Sequence, residues 1–245
     1  MNLFGQAFAW IAQNWTGSSG VAVLLGDHLV LTVISIVIAV VIATPIGLFI
    51  GHTGRGRAGA ILVSNAARAI PTLGLFSILT VAMGIGILPP IIVFVILGIP
   101  PMLAGAYAGI ESVDRGPIDA ARAIGMTEWQ ILLRVEIPLA TALLIGGLRA
   151  TTLQIVATVA LASYFGHDSL GSLVFTGIAT RDYVQMIAGA IMIAALALII
   201  DGLLALVQRF AVPRGISRGA ANGKKNTARG AAPELAAASH LTEGT

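Results

Sequence analysis

No cysteine occurs anywhere in the 245 residues, and only 10% of them are charged. The first absence excludes disulfide frameworks, thiolate metal sites and a cysteine nucleophile. The second sets the chain apart from soluble domains, in which about a quarter of residues carry charge. Aromatic residues are scarce at 6%, and the four histidines are scattered, which argues against a metal centre. The sequence holds no G-x-x-x-x-G-K-S/T phosphate loop, the usual cradle for ATP phosphates. What remains is apolar: 57% of the residues are hydrophobic and the mean hydropathy is +0.93. Such a composition belongs to a membrane protein, and the apolar runs fill most of the length, leaving one membrane domain with a short polar tail. A formal charge of +3 and an isoelectric point near 9.8 would also suit nucleic acid, so the placement of the basic residues has to decide.

A helix crossing about 30 Å of hydrocarbon needs roughly 20 apolar residues. Leu29 to Ile50 is free of charge and makes a first span. Ala69 to Ile110 is a second uncharged run, broken by "GIGILPP" at Gly84 to Pro90, where a hairpin turn divides spans two and three. A fourth span runs from Leu139 to Tyr164 and contains Arg149; a fifth runs from Tyr183 to Val207 and contains Asp201 near its end. The expectation is an all-α polytopic membrane protein with about five transmembrane helices.

Lysine and arginine set the orientation. Arg55, Arg57 and Arg68 lie between spans one and two; Arg115, Arg122 and Arg134 lie between three and four; the remaining basic residues of that side follow span five. Only Arg181 falls in a loop of the opposite side, and Arg149 lies within a span. The N-terminus is therefore expected outside and the C-terminus in the cytoplasm of a multi-pass cell-membrane protein. The positive charge is topological and implies no nucleic-acid partner. Residues 1–25 read as an N-terminal interfacial segment, with Trp10 and Trp15 at headgroup level, because they lack the basic start and short apolar core of a cleavable signal peptide. Residues 26–212 form the transmembrane domain. Residues 213–245, rich in Gly, Ala and small polar residues, read as a disordered cytoplasmic tail whose Lys and Arg could touch anionic lipid.

The cytoplasmic loop 111–138 carries two short helices. Pro117 suits a first helical turn, Gly125 ends that helix by adopting the left-handed conformation, and Thr127 with Gln130 forms a capping box that starts "EWQILLRV". Pro138 is expected to separate this second helix from span four. Small Ala120 and Ala121 permit close approach by another protein, while Ile124, Trp129, Leu132 and Leu133 offer apolar anchors. The element reads either as a docking surface or as an amphipathic loop packed on its own bundle.

Asp119-Ala120-Ala121, three residues, Gly125, nine residues, then Val135, Ile137 and Pro138 resembles the EAA motif of ABC-importer permeases, E-A-A-x3-G-x9-I-x-L-P. "NAARAIPTLGL", "ILGIPPMLAGAYAGIESVD", "GGLRATTLQIVATVALASYFG" and "IIDGLLALVQR" are similar to permease subunits for osmoprotectants such as glycine betaine, choline, carnitine and proline. The resemblance implies a type I ABC importer permease fold. It also implies that Asp119, Ala120, Ala121, Gly125, Met126, Trp129 and Pro138 couple the chain to an ATPase subunit. ATP and Mg would bind that partner, with no cofactor on this chain. The other implied partners are an extracytoplasmic solute-binding protein and a second permease. In place of the small residues usual after span four, this chain carries His167, Asp168 and Ser169 in the loop that would face the binding protein.

Within the spans, Arg149 is a candidate for lining the pore or a dimer seam, or for snorkelling and pairing with a carbonyl; Asp201 is a candidate partner for a neighbouring Arg. Gly146, Gly147 and Thr151 fit either a dimer seam or packing inside one subunit. Pro71, Pro100 and Pro101 are expected to break helices and re-aim spans two and three, with gating as the alternative and Pro71 the candidate on the translocation pathway or dimer seam. Asn65 and Arg68 are expected to cap the entry to span two. The sequence leaves open an ABC permease for methionine, ergothioneine or another small solute. An ion-coupled secondary transporter is the rival class, although no internal repeat or array of intramembrane acids supports it.

Overall fold

The computed structural model describes residues 2–211 and is helical throughout them, with no strand. The expected tail lies outside the described residues. α1 (Leu3–Gln13) is followed by α2 (Val21–Thr53), α3 (Arg57–Ala69), α4 (Thr72–Met83), α5 (Leu88–Glu111), α6 (Arg115–Ala123) and α7 (Glu128–Ile131). A π turn, Leu132–Glu136, leads into α8 (Ile137–Val159), which ends in a 3-10 turn, Ala160–Phe165; α9 (Gly171–Thr180) and α10 (Tyr183–Ala211) follow. Among the described residues, four stretches are long and apolar enough to cross a membrane: Val21–Thr53, Leu88–Glu111, Glu128–Phe165 and Tyr183–Ala211. The pair α3 and α4, bent by 84° at its break, passes the same test only when taken together, as a broken span or a re-entrant loop.

The bend falls at the start of the expected span two, whose helix α4 has only 12 residues, too few to cross alone. Pro71 donates no N–H and disfavours helical backbone at the residue before it, and Ile70 is extended (φ −70°, ψ 125°). Pro71 therefore re-aims the chain. Pro100 and Pro101 do not: both lie inside α5, which continues across them. Pro138 also fails to separate the loop from span four. The helix runs unbroken from Glu128 to Phe165 because the π turn at Leu132–Glu136 precedes the proline; its wider turn relieves the clash between the pyrrolidine ring and the carbonyl one turn earlier. α2 begins at Val21 rather than Leu29, since Asp27 and His28 remain helical and the buried His28 ring meets the Val156 carbonyl at 3.1 Å.

α2, α5 and α8 pack into the centre of the molecule. Their contact is close because the facing residues are small. A Cβ added to Gly47 would lie 2.5 Å from Ala106 Cβ, and one added to Gly147 would lie 2.8 Å from the Gly105 Cα. Around this spine, Leu31, Val93, Phe94, Leu97, Ile155 and Val159 form an apolar core. α4 joins it through Phe76, whose ring stacks on Phe165 (4.5 Å between centroids) and meets Phe94 edge-on (5.6 Å). α10 packs on α8, α9 and α1, with Trp10 partly buried against Leu170, Leu173 and Leu196. α9, an apolar helix where the sequence suggested only a loop, folds back on α10 at Gly177 and Gly189, each too close to the opposing chain for a side chain.

Gly147→Val should cost about 1–3 kcal/mol or block folding, since overpacking a close helix crossing forces the backbones apart. Gly146→Val, whose Cβ meets nothing within 4 Å, should leave the thermal midpoint of the detergent-solubilised chain near that of the wild type. Equal losses at the two positions would contradict the assigned crossing.

Candidate functional site

The loop between α5 and α8 is a built element. Asp114 accepts a hydrogen bond from Gly116 N at the start of α6, and the helix closes with two hydrogen bonds: Gly125 N donates to Arg122 O (3.0 Å) and Met126 N to Ala121 O (3.1 Å). This double closure requires a left-handed residue, and Gly125 supplies it at φ +85°. The Thr127–Gln130 capping box then starts α7: Thr127 N donates to Gln130 Oε1 at 2.9 Å and Gln130 N to Thr127 Oγ1 at 3.4 Å.

The element is partly anchored and partly bare. Ile118, Ala121, Ile131 and Leu132 are buried with Ile110, Val113 and Ala140 of the bundle, and Met126 packs partly against them. Leu132 is therefore an anchor to its own bundle rather than an exposed contact, packed beside Ile131 in the same cluster. Ala121 also faces inward, so only Ala120 of the alanine pair lies on the open side. Ile124 (79% exposed), Trp129 (73%) and Leu133 (57%) are bare apolar side chains; Trp129 and Leu133 border a cleft toward Val41, Pro45 and Phe49 of α2, and the Asp119 side chain is exposed. Pro138 lies exposed in the first turn of α8.

Behind the element lies a polar chain that the sequence reading did not find. Arg122 donates to both oxygens of Glu128, at 2.9 and 3.0 Å. His52, at the end of α2, places Nε2 3.2 Å from Glu128 Oε2 and Nδ1 2.6 Å from Glu136 Oε2. Glu136 is only 3% exposed. Nothing in the local sequence around His52 identifies it; its partners lie 76 and 84 residues away and converge only once α2 and the π turn are placed.

Arg149 and Asp201 meet between α8 and α10. The guanidinium donates to both carboxylate oxygens, Nε to Oδ1 at 2.8 Å and Nη2 to Oδ2 at 2.9 Å, and its third nitrogen donates to Gln208 Oε1 at 2.8 Å. Gln208 Nε2 in turn donates to the Ala142 carbonyl at 2.8 Å. Gly147 and Thr151 point into the subunit: Gly147 crosses Gly105, and Thr151 Oγ1 donates to the Gly98 carbonyl at 3.3 Å. Gly146 and Pro71 lie on other surfaces, so the proposed pathway residues do not form one cluster. Asn65 and Arg68 are exposed on α3.

In the loop at the opposite end, Asp168 is exposed and His167 Nε2 contacts the Gly86 carbonyl at 2.5 Å. With Asp27, Val30 and Ile87 they line a shallow depression of about 260 Å³. Ser169 differs from the expectation of a partner-facing residue. It is fully buried, and its hydroxyl pairs with Ser163 (2.7 Å) and accepts from Gly171 N (3.1 Å), so it fixes the start of α9.

This arrangement of helices agrees with comparison to known proteins. Residues 43–212 match the family of binding-protein-dependent transport system inner membrane components. The chain belongs to this family. It is thus a permease of the membrane. A glycine betaine/carnitine/choline transport system permease protein, OpuCB of Bacillus subtilis (strain 168), is 30% identical over 191 residues, covering 78% of this permease and 88% of the relative. The osmoprotectant import permease protein OsmY of Salmonella typhimurium is 35% identical over 191 residues, covering 77% and 81% respectively. Among solved structures, the inward-facing MetNI methionine ABC transporter superposes with a TM-score of 0.68 at 23% identity over 76% of this permease and 94% of that chain, which establishes the shared type I importer fold.

Removing one partner of an ion pair away from bulk water leaves the other charge uncompensated. Arg149→Ala or Asp201→Ala should lower the thermal midpoint of the permease, and the double variant should recover part of the loss. Additive losses in this double-mutant cycle would show that the pair does not hold α10 to α8.

Proposed function

We propose that this permease is the membrane-spanning subunit of an ATP-driven importer for osmoprotectants of the glycine betaine, choline, carnitine and proline class. ATP is hydrolysed by a separate ATPase subunit, solute is captured by an extracytoplasmic binding protein, and a second permease completes the pore. The observation that carries this reading is the helix, glycine turn and helix between α5 and α8, anchored to the bundle by its buried residues while Ile124, Trp129 and Leu133 stay bare. Bare apolar side chains beside charged ones fit an interaction site, and the excess of arginine on the same side favours a cytoplasmic position.

Closure of the ATPase dimer would move two such elements together and rotate the attached helix bundles as rigid bodies, exposing the pathway alternately to the two sides. The permease has few aromatic residues from which to build a cage for a quaternary ammonium group, so tight capture rests with the binding protein and passage through the membrane is weak and transient. The solute class follows the relatives OpuCB and OsmY, which share 30% and 35% identity with the chain. The methionine transporter shares the fold at 23% identity, and its cargo is not carried over.

In proteoliposomes containing the permease, ATPase and binding protein, radiolabelled glycine betaine or choline should accumulate only with ATP. Accumulation that survives ATP depletion and follows a sodium or proton gradient would overturn the assignment. Ile124→Asp with Trp129→Ala should abolish copurification of the ATPase while leaving the thermal midpoint within a few degrees, because exposed substitutions change stability by only about 0.5 kcal/mol.

A further inference from the structure

We propose that His52 is a positioning residue for coupling: it props the α6–α7 element against the cytoplasmic end of α2, so that a stroke of the ATPase turns the helix bundle instead of tilting the element alone. This inference rests on the docking role proposed above. Toward α5 and α8 the element is well supported. Its apolar cluster interlocks with Ile110, Val113 and Ala140, and α7 continues through the π turn into α8. Toward α2 the support is different. An open apolar cleft of about 700 Å³ separates Val41, Pro45 and Phe49 of α2 from Trp129, Leu132 and Leu133. A gap removes dispersion contacts between its walls, so the cleft resists little when the element is pushed.

His52 spans the end of that cleft. Its ring contacts Glu128, the first residue of α7, through Nε2, and Glu136, the last residue of the π turn, through Nδ1. The imidazole side chain is 13% exposed and that of Glu136 is 5% exposed, so water screens this pair less than a surface pair. Glu128 is also clamped by Arg122 of α6, which lies 3.7 Å from Asp119 on the exposed side. The polar chain therefore runs from the docking surface to α2 without a break: Asp119, Arg122, Glu128, His52, Glu136. α2 is in turn locked to α5, where a Cβ on Gly47 or Gly51 would lie 2.5 or 2.7 Å from Ala106 or Ile110 Cβ. Through His52, a push on the element reaches α2 directly, in addition to the α5 and α8 contacts of its apolar cluster.

The test uses the assembled complex. His52→Ala should retain ATPase copurification and folding, with a thermal midpoint lowered because the buried Glu136 loses its partner, and transport per ATP hydrolysed should fall at least about fivefold, in line with the size of coupling changes at residues outside binding sites. His52→Arg, which keeps donors for both carboxylates, should restore most of the ratio. A second measurement does not depend on the solute. Because the chain has no cysteine, spin labels at Ala123→Cys and Val37→Cys report the distance between the element and α2. In the wild type this distance should stay the same between nucleotide-free and ATP-bound states, and in His52→Ala it should broaden or shift. A wild-type ratio and an unchanged distance in His52→Ala would overturn the proposal, as would parallel loss of folding and ATPase binding in both His52 variants. If the wild-type complex imports no osmoprotectant, the solute assignment fails and the label distances still decide the role of His52.

Discussion

Close approach of three helix backbones is the constraint on which the rest of this structure depends. Lipid tails are as apolar as leucine, so helices in a membrane gain little by hiding apolar side chains and associate instead through van der Waals fit. In this permease that fit is set where Gly105 of α5 meets Gly147 of α8 and where Gly47 and Gly51 of α2 meet α5. With α2, α5 and α8 locked together, the bundle behaves as one body. The element between α5 and α8 then has something rigid to push against.

Rigidity at the centre contrasts with the bare surfaces around it. α3 has no buried residue, and α4 buries only Phe76; Arg57 holds α3 to Glu111 at the base of α5. α10 meets the bundle on one flank, where Arg149, Asp201 and Gln208 supply a directional clasp that apolar packing alone would not give. The charged or aromatic fastenings of these peripheral parts keep them in register with the spine.

Much of this was legible in the sequence because the signals were local. Gly125, Thr127 and Gln130 specify the two helix ends of the loop through backbone hydrogen bonds within a few residues, and Pro71 marks a real bend. Other parts were not legible because the deciding contacts are distant. Pro100 and Pro138 carry the same local signal as Pro71, yet the surrounding packing and a π turn keep their helices continuous. Leu132 and Ser169 looked available to partners, but the cluster around Ile131 and the Ser163 hydroxyl draw them inside. His52 gave no sign of its role, since both of its carboxylates come from the far side of the coupling loop.

The account rests on the α6–α7 element lying in the cytoplasm, where a partner can grip it. Single cysteines at Ile124 and Asp168, treated with a membrane-impermeant maleimide, test this directly. The account predicts labelling of Ile124→Cys only in inverted vesicles and of Asp168→Cys only in intact cells. Labelling of Ile124→Cys from outside intact cells would contradict it.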